Sequence, residues 1–448
     1  QGSALVSSAD VGDGAPISVT AGSLTVDQGA TIQSIAVTGR GGDVVVTAPQ
    51  LAIQSGAAIS TTIVGPGRGG DVLVNSTGAT TISGEFTGIS TGSFFADPSA
   101  PDQGAPGNIV AHLGSLTLTD SATIQSGVLF GSQGGNVSIV ATGPISISNR
   151  AGIASESFFT NAGTVTISAP VVSIGNGFIS TSTLASGRAG DIVISAGALE
   201  LASGGQIASA SIATATGAGG DVQLNLSSAL TISGASPTGR SPLPTPFSDF
   251  FTDARSGIFT TAAGSGPGGN ITIRSPQQIR ILNGGTISAA STGDVNATAG
   301  NITINFGDRF SMDGSSITTS STLADGGNIV ITSTGSILDL SDSQITTSVQ
   351  SGVGGGGNIT LGTVDHPIGF IVLNNGQIHA DAFGGPGGNI NIFADTMLSS
   401  TPIQTAVTAS SALSTPGTIN VVAVATHLSG GLPQLAAHTQ EAGPPVRV

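Results

Sequence analysis

One feature constrains this chain more than any other: it repeats itself with a period near 28 residues. Along the sequence a Gly or other small residue is followed by Asn, Asp or Thr, and then by an apolar alternation. The polar anchors are Asp43, Asp71, Asn108, Asn136, Thr164, Asp191, Asp221, Asn270, Asn301, Asn328, Asn358, Asn389 and Thr418. Their spacings are 28, 37, 28, 28, 27, 30, 49, 31, 27, 30, 31 and 29 residues. A fixed period of this length is the signature of a stacked repeat architecture, in which no single unit buries its own apolar face.

Each unit contains three short alternating stretches. In the unit at Asp43 they are "DVVVTA", "LAIQ" and "AAISTT"; in the unit at Asn270 they are "NITIRS", "IRIL" and "TISAAS". Apolar residues at every second position read as strands, because successive side chains point to opposite faces. A unit of this length has a contour of roughly 90 Å at ~3.3 Å per residue, enough for a three-sided coil with corners. Coils stacked ~4.8 Å apart pair strand to strand in parallel. The expected fold is therefore all-β: a parallel β-helix of about 14 coils of about 28 residues, three strands per coil. Parallel crossovers are nearly always right-handed, so a right-handed β-helix is expected. A sandwich or barrel shows strands at regular short spacing but no such long phase. One continuous helix is expected over residues 1–425, with loop insertions near 84–106 and 234–257, followed by an extension over 426–448.

The repeat also predicts which residues stack. Ile32, Ile59, Ile89, Ile124, Ile153, Ile179, Ile207, Ile258, Ile287, Ile317, Ile345 and Ile378 share one phase and should form an internal aliphatic column. The anchor Asn and Asp should sit at a bend, tolerating a left-handed backbone and bonding one another along the stack. The glycines before them should supply positive φ at that corner.

Composition agrees and excludes several functions. The chain has 448 residues and 69 Gly, with no Lys, Cys, Trp or Tyr. The scarcity of Lys and Glu removes the usual material of exposed helix faces. A net charge of −15 with 8% charged residues gives nucleic acid no basic surface to bind. The absence of Cys excludes thiolate metal sites and disulfides. No apolar run is long enough for a membrane-spanning helix.

Few residues suggest chemistry. Asp313 and Asp342 are the best carboxylate pair for polysaccharide cleavage, which needs two carboxyls on one groove. Asn283 and Asn375 occupy what read as matching turns, so a turn column in which Asp and Asn interchange is the favoured reading. The His residues (His112, His366, His379, His427 and His438) do not fall at metal-ligand spacing. Stacked Asp43 with Asp71, and Asp191 with Asp221, place like charges ~5 Å apart and raise the question of calcium; solvation or backbone bonding is preferred. No cofactor is called for. Sequons at Asn270, Asn301 and Asn358 coincide with the anchors and read as products of the repeat. The Ser and Thr of the third strand, as in "ISTST" from Ile179 and Thr318 with Ser320, read as an exposed strand face that glycans or ice would otherwise occupy. Phe94, Phe95, Phe247, Phe250 and Phe251 fall in the two insertions, where they either fold back on the rod or contact a partner. At the amino end "SALVSS" matches a third strand with Leu5 in the place of the column Ile, and the carboxyl end offers a first strand without a third. Ala4, Leu5 and Val6 are thus expected to complete the last coil of another copy, giving a head-to-tail homopolymer.

The grammar "GGN-I-x-I … L-x-L … G-A-x-I-x-S", seen at Gly269–Ile273, Ile279–Ile281 and Gly285–Ser288, resembles the large exoproteins of the filamentous-haemagglutinin-like, two-partner secretion class of Gram-negative bacteria. The resemblance implies a long secreted β-helix used for adhesion or surface structure, located outside the cell, with an outer-membrane secretion partner. The amino-terminal secretion domain of that class, with its Asn-Pro-Asn type motifs, is not in this sequence, which reads as a carboxy-terminal or processed piece. The expected function is an extracellular structural or adhesive fibre subunit rather than an enzyme. The competing readings are a polysaccharide-active β-helix enzyme and a glycan- or ice-binding module.

Overall fold

The computed structural model describes residues 3–94, 104–130, 133–212, 216–243, 253–293, 297–333 and 336–427. They form a parallel β-solenoid of about 14 turns. The coil at Asp43 is built from strands Val44–Thr47, Leu51–Gln54 and Ala58–Ile63. The coil at Asn270 uses Ile271–Ser275, Gln278–Leu282 and Thr286–Ser288. The third strands make one 14-stranded parallel sheet, from Ala4–Ala9 to Val407–Thr408. First and second strands form the other two faces. In several coils they run together as one bent strand, as in Val72–Ser83 and Val165–Gly175.

Register explains the core. Leu5 pairs with Ile32, Ile32 with Ile59 and Ile59 with Ile89. The same phase continues through Ile287, Ile317, Ile345 and Ile378 to Val407. Every Ile of that column is buried. Val44, Val72 and Ile109 stack in the same way on the first strand, and Ile53 and Ile82 on the second. A side chain enclosed by its own coil and by the coils before and after it has little room to relax, so these columns carry most of the apolar burial.

Next to the Ile column runs a second internal column, of hydroxyls. Thr91 donates to Gly107 O at 2.8 Å, Ser155 to Gly135 O at 2.9 Å and Thr319 to Gly327 O at 2.6 Å. Each such bond ties a third strand to the glycine corner before or after it and satisfies a carbonyl that water does not reach.

The corners differ from the expectation. No anchor Asn or Asp has a left-handed backbone, and neither have the glycines directly before them. The left-handed non-glycine residues lie at the corner between second and third strands, among them Ser55, Asn149, Asn176, Asn283, Asp342 and Asn375, whereas Gly39 and Gly67, four residues before Asp43 and Asp71, carry positive φ on the anchor side. The glycines before the anchors are required by crowding instead. A Cβ on Gly70 would stand 2.0 Å from Gly42 O, and one on Gly269 would stand 1.9 Å from Gly220 O. Backbone approaches backbone there with no space for a side chain.

Two boundaries also shift. Gly88–Phe94 is a regular third strand, so the additional residues of the first insertion follow Phe94 rather than beginning near residue 84. The last strand, Ile419–His427, continues two residues past 425. The single helical turn among the described residues is Ile403–Ala406, and none of their helices is long and apolar enough to cross a membrane.

Candidate functional site: polar ladder and covered flank

The anchors form a hydrogen-bonded ladder along the rod. The backbone N–H of each anchor donates to the side-chain oxygen of the anchor one coil earlier: Asp71 to Asp43 at 2.9 Å, Asn108 to Asp71 at 2.7 Å, Asn136 to Asn108 at 3.0 Å and Thr164 to Asn136 at 2.9 Å. The series resumes with Asp221 on Asp191 at 2.8 Å, Asn270 on Asp221 at 2.8 Å and Asn301 on Asn270 at 3.0 Å. It continues with Asn328 on Asn301 at 2.9 Å, Asn358 on Asn328 at 3.0 Å, Asn389 on Asn358 at 2.9 Å and Thr418 on Asn389 at 3.0 Å. In the run Asn270–Asn358 the carboxamides also bond each other, Nδ2 donating to the preceding Oδ1 at 2.9 or 3.0 Å. The carboxamide nitrogens of the sequons at Asn301 and Asn358 are thus engaged in the stack. A shallow polar groove of about 560 Å³ follows this ladder, bounded by Asp221, Asn270, Asn301 and Asn328 and by Gln223 and Thr303 of the first strands.

The stacked aspartates have a cation of their own. Arg40 Nη2 lies 2.9 Å from Asp43 and 3.8 Å from Asp71, and Arg68 Nη2 lies 3.0 Å from Asp71. Arg188 Nη2 bridges Asp191 at 2.8 Å and Asp221 at 3.3 Å. The guanidinium comes from three residues before the first Asp of each pair, in "GRGGD" and "GRAGD". It meets the like-charge repulsion with a half-exposed ion pair. Among the described residues no three His, Asp or Glu groups gather as a metal-holding set.

The insertion between Gly234 and Ser256 acts on the outer face of the third-strand sheet. Leu243 is fully buried against Ala154, Phe178, Ala208 and Phe259. Gln206, also fully buried, donates through Nε2 to Asp253 O at 2.6 Å and Arg255 O at 3.0 Å, and accepts from Ser241 at 2.8 Å. The described part of this insertion therefore folds back on the rod. Phe247, Phe250 and Phe251 lie outside the described residues, as does Phe95; Phe94 is about half exposed at the end of its strand.

This covering changes the reading of "ISTST". Thr181 and Thr183 point inward, while Ser180 and Ser182 point outward but are buried, with hydroxyls that find no partner. Glu156, in register with Ser182, has an enclosed Oε1 that also lacks a partner. Burial pushes its carboxyl up to about 8. Further along, Thr318 bonds Ser320 at 2.6 Å and Thr346 bonds Ser348 at 2.7 Å, so these partly buried hydroxyls are engaged with each other.

The carboxylate pair is not one column. Asp313 ends a second strand and is in register with Leu282 and Ser341, whereas Asp342 is a left-handed corner residue. Asn375, also left-handed, donates through Nδ2 to Asp342 at 2.7 Å. Asn283 and Asn375 thus match Asp342 and not Asp313. Spacing alone misses one cluster. His379 Nδ1 lies 2.6 Å from Thr408 Oγ1, and Asp381 accepts from Thr408 and Ser410 at 3.0 and 2.8 Å. His379 and Asp381, like Thr408 and Ser410, are two residues apart in sequence, and the two pairs lie one coil apart, a proximity that exact register alone reveals.

Fold and surface together define a parallel β-solenoid with a polar corner ladder and one flank covered by its own insertion. Compared with protein-family models, with curated proteins and with solved structures, the chain matches none.

Proposed function

We propose that this protein is an extracellular structural rod of a bacterial surface, a fibre unit of the filamentous-haemagglutinin-like kind with a flank available for adhesion. The observation that supports this most is continuity: the same parallel strand pairing and Ile column pass from coil to coil, and the polar ladder accompanies them with one break between Thr164 and Asp191. Such a stack spreads any load over many backbone bonds. With no Lys and ten Arg, the chain also offers trypsin-like proteases few cleavage points. Export through an outer-membrane partner follows from the resemblance alone.

The fibre extends by continued stacking. Among the described residues Ala4–Ala9 is paired on one side only, with Thr31–Ala36, and Leu5 and Val6 are about half exposed. At the opposite end Ile419–His427 is paired, among the described residues, only with Ile390–Ser399, and Ile419, Val422 and Val424 are exposed. Unpaired strand edges with apolar side chains are templates for a further coil. A second copy supplies that coil head to tail, a heterologous contact that does not close. Sedimentation velocity tests this. The chain should form concentration-dependent polymers, and deletion of Gln1–Asp10 should abolish them while the strand circular-dichroism signal persists. Polymers that survive the deletion, or a chain that stays monomeric at high concentration, would contradict it.

A further inference from the structure

The insertion that covers part of the third-strand face also ends there, and its end bounds a second groove. Arg255, where the insertion rejoins the rod, is held by Asp253 through Nε at 3.0 Å and Nη2 at 2.7 Å, and reaches Ser316 with Nη1 at 3.4 Å. Beyond it Gln344 and Gln377 lie exposed on the outer face. A groove of about 340 Å³ runs over Ser316, Gln344 and Gln377 and is walled by the corner residues Asp342 and Asn375. Gln344 and Gln377 are exposed and stack in register one coil apart.

We propose that this groove binds a neutral polyhydroxylated chain, a glycan lying along the rod axis. A carboxamide presents a donor and an acceptor side by side, and neighbouring sugar hydroxyls each present both in return. The Gln344 carboxamide makes no hydrogen bond among the described residues and so is free for a ligand. Gln377 keeps its Nε2 donor while its Oε1 meets His379 at 3.1 Å. Asp342 gives one oxygen to Asn375 and leaves the other open. In the groove beside the polar ladder, by contrast, the carboxamides are committed to one another.

Charge selects the ligand class. The Arg255 guanidinium is matched by Asp253, so Asp342 leaves the groove acidic on a rod of net charge −15. Among the described residues that line the groove, an anionic polysaccharide meets no free cation. Repetition of the amide at the coil spacing favours an extended chain over a single sugar. The inference deepens the adhesive part of the reading above and does not depend on polymerisation.

Affinity electrophoresis of the folded chain tests it, in native gels containing dextran, soluble β-glucan or galactomannan, with alginate as the acidic arm. At least one neutral polysaccharide should retard the protein. The double variant Gln344→Ala, Gln377→Ala should bind about tenfold more weakly, as expected for lost hydrogen bonds, with an unchanged melting temperature. Gln344→Glu, which keeps the size and removes the amide donor, should weaken binding as well. Gln223→Ala with Thr303→Ala, in the other groove, should leave it intact. Retardation by none of the neutral polysaccharides, retardation by alginate alone, or full affinity in the Gln344/Gln377 variants would overturn the proposal. Binding by a chain that sediments as a monomer supports this site and counts against the fibre, so the two readings fail separately.

Discussion

Asn328 does three things with one side chain. It donates to Asn301 Oδ1, and its own Oδ1 accepts both the backbone N–H and the Nδ2 of Asn358. Asn328→Leu leaves the Asn358 N–H without its protein acceptor, a loss of about 0.5–1.5 kcal/mol for an exposed bond. Asn305 sits outward on a first strand and bonds only Thr332. Asn305→Leu should therefore lower the melting temperature much less, and equal losses would argue against the ladder. The stacked aspartates lead to a second expectation. Arg40, Arg68 and Arg188 already provide the positive charge beside them. A chelator should leave the melting temperature unchanged, and a large fall would show that a cation holds these corners. Glu156 gives a pH signature. Its native carboxyl ionises near 8 rather than at the ordinary 4.5. Between those values the unfolded chain binds fewer protons than the native one, so stability declines as pH rises through that window and then levels off. Glu156→Gln should match the wild type near pH 4 and melt higher at pH 8; an equal difference at both pH values would contradict the burial assigned to this carboxyl.

At the scale of the strand and corner, periodicity was the informative signal. The Ile column from Ile32 to Ile378 was legible because a parallel stack places equivalent positions of every repeat at one spot, so a column in the sequence is a column in space. The anchors were legible for the same reason. The backbone conformation at the corners was not, because glycine serves two needs that look alike in a sequence: positive φ, and room for a close backbone. Gly56 has positive φ and nothing near its missing Cβ, whereas Gly269 lies against Gly220 O. Gly56→Ala should cost about 1 kcal/mol of local backbone strain. Gly269→Ala should cost several times more by parting two coils, measured as denaturant midpoints; equal effects would return the anchor glycines to the positive-φ explanation. Nor could periodicity place Asp342, since coil lengths vary and a single residue of slippage puts Asp313 in its column. The covered flank was hidden for a third reason: Leu243 and Gln206 meet through an insertion that has no counterpart in the repeat.

For the whole molecule, the coil stack sets the shape and motivates the proposed assembly. About 14 coils at ~4.8 Å each give a rod roughly 65–70 Å long, in which Ala4–Ala9 and Ile419–His427 are each paired on one side among the described residues. A stack whose stability is a sum of coil-to-coil contacts can lengthen without any new kind of interface. Negative-stain electron microscopy of the purified chain tests the fibre most directly. Unbranched filaments one rod wide are expected, with lengths that are multiples of roughly 65–70 Å at that coil spacing. Compact, isotropic particles, or single rods that never join as concentration rises, would contradict it.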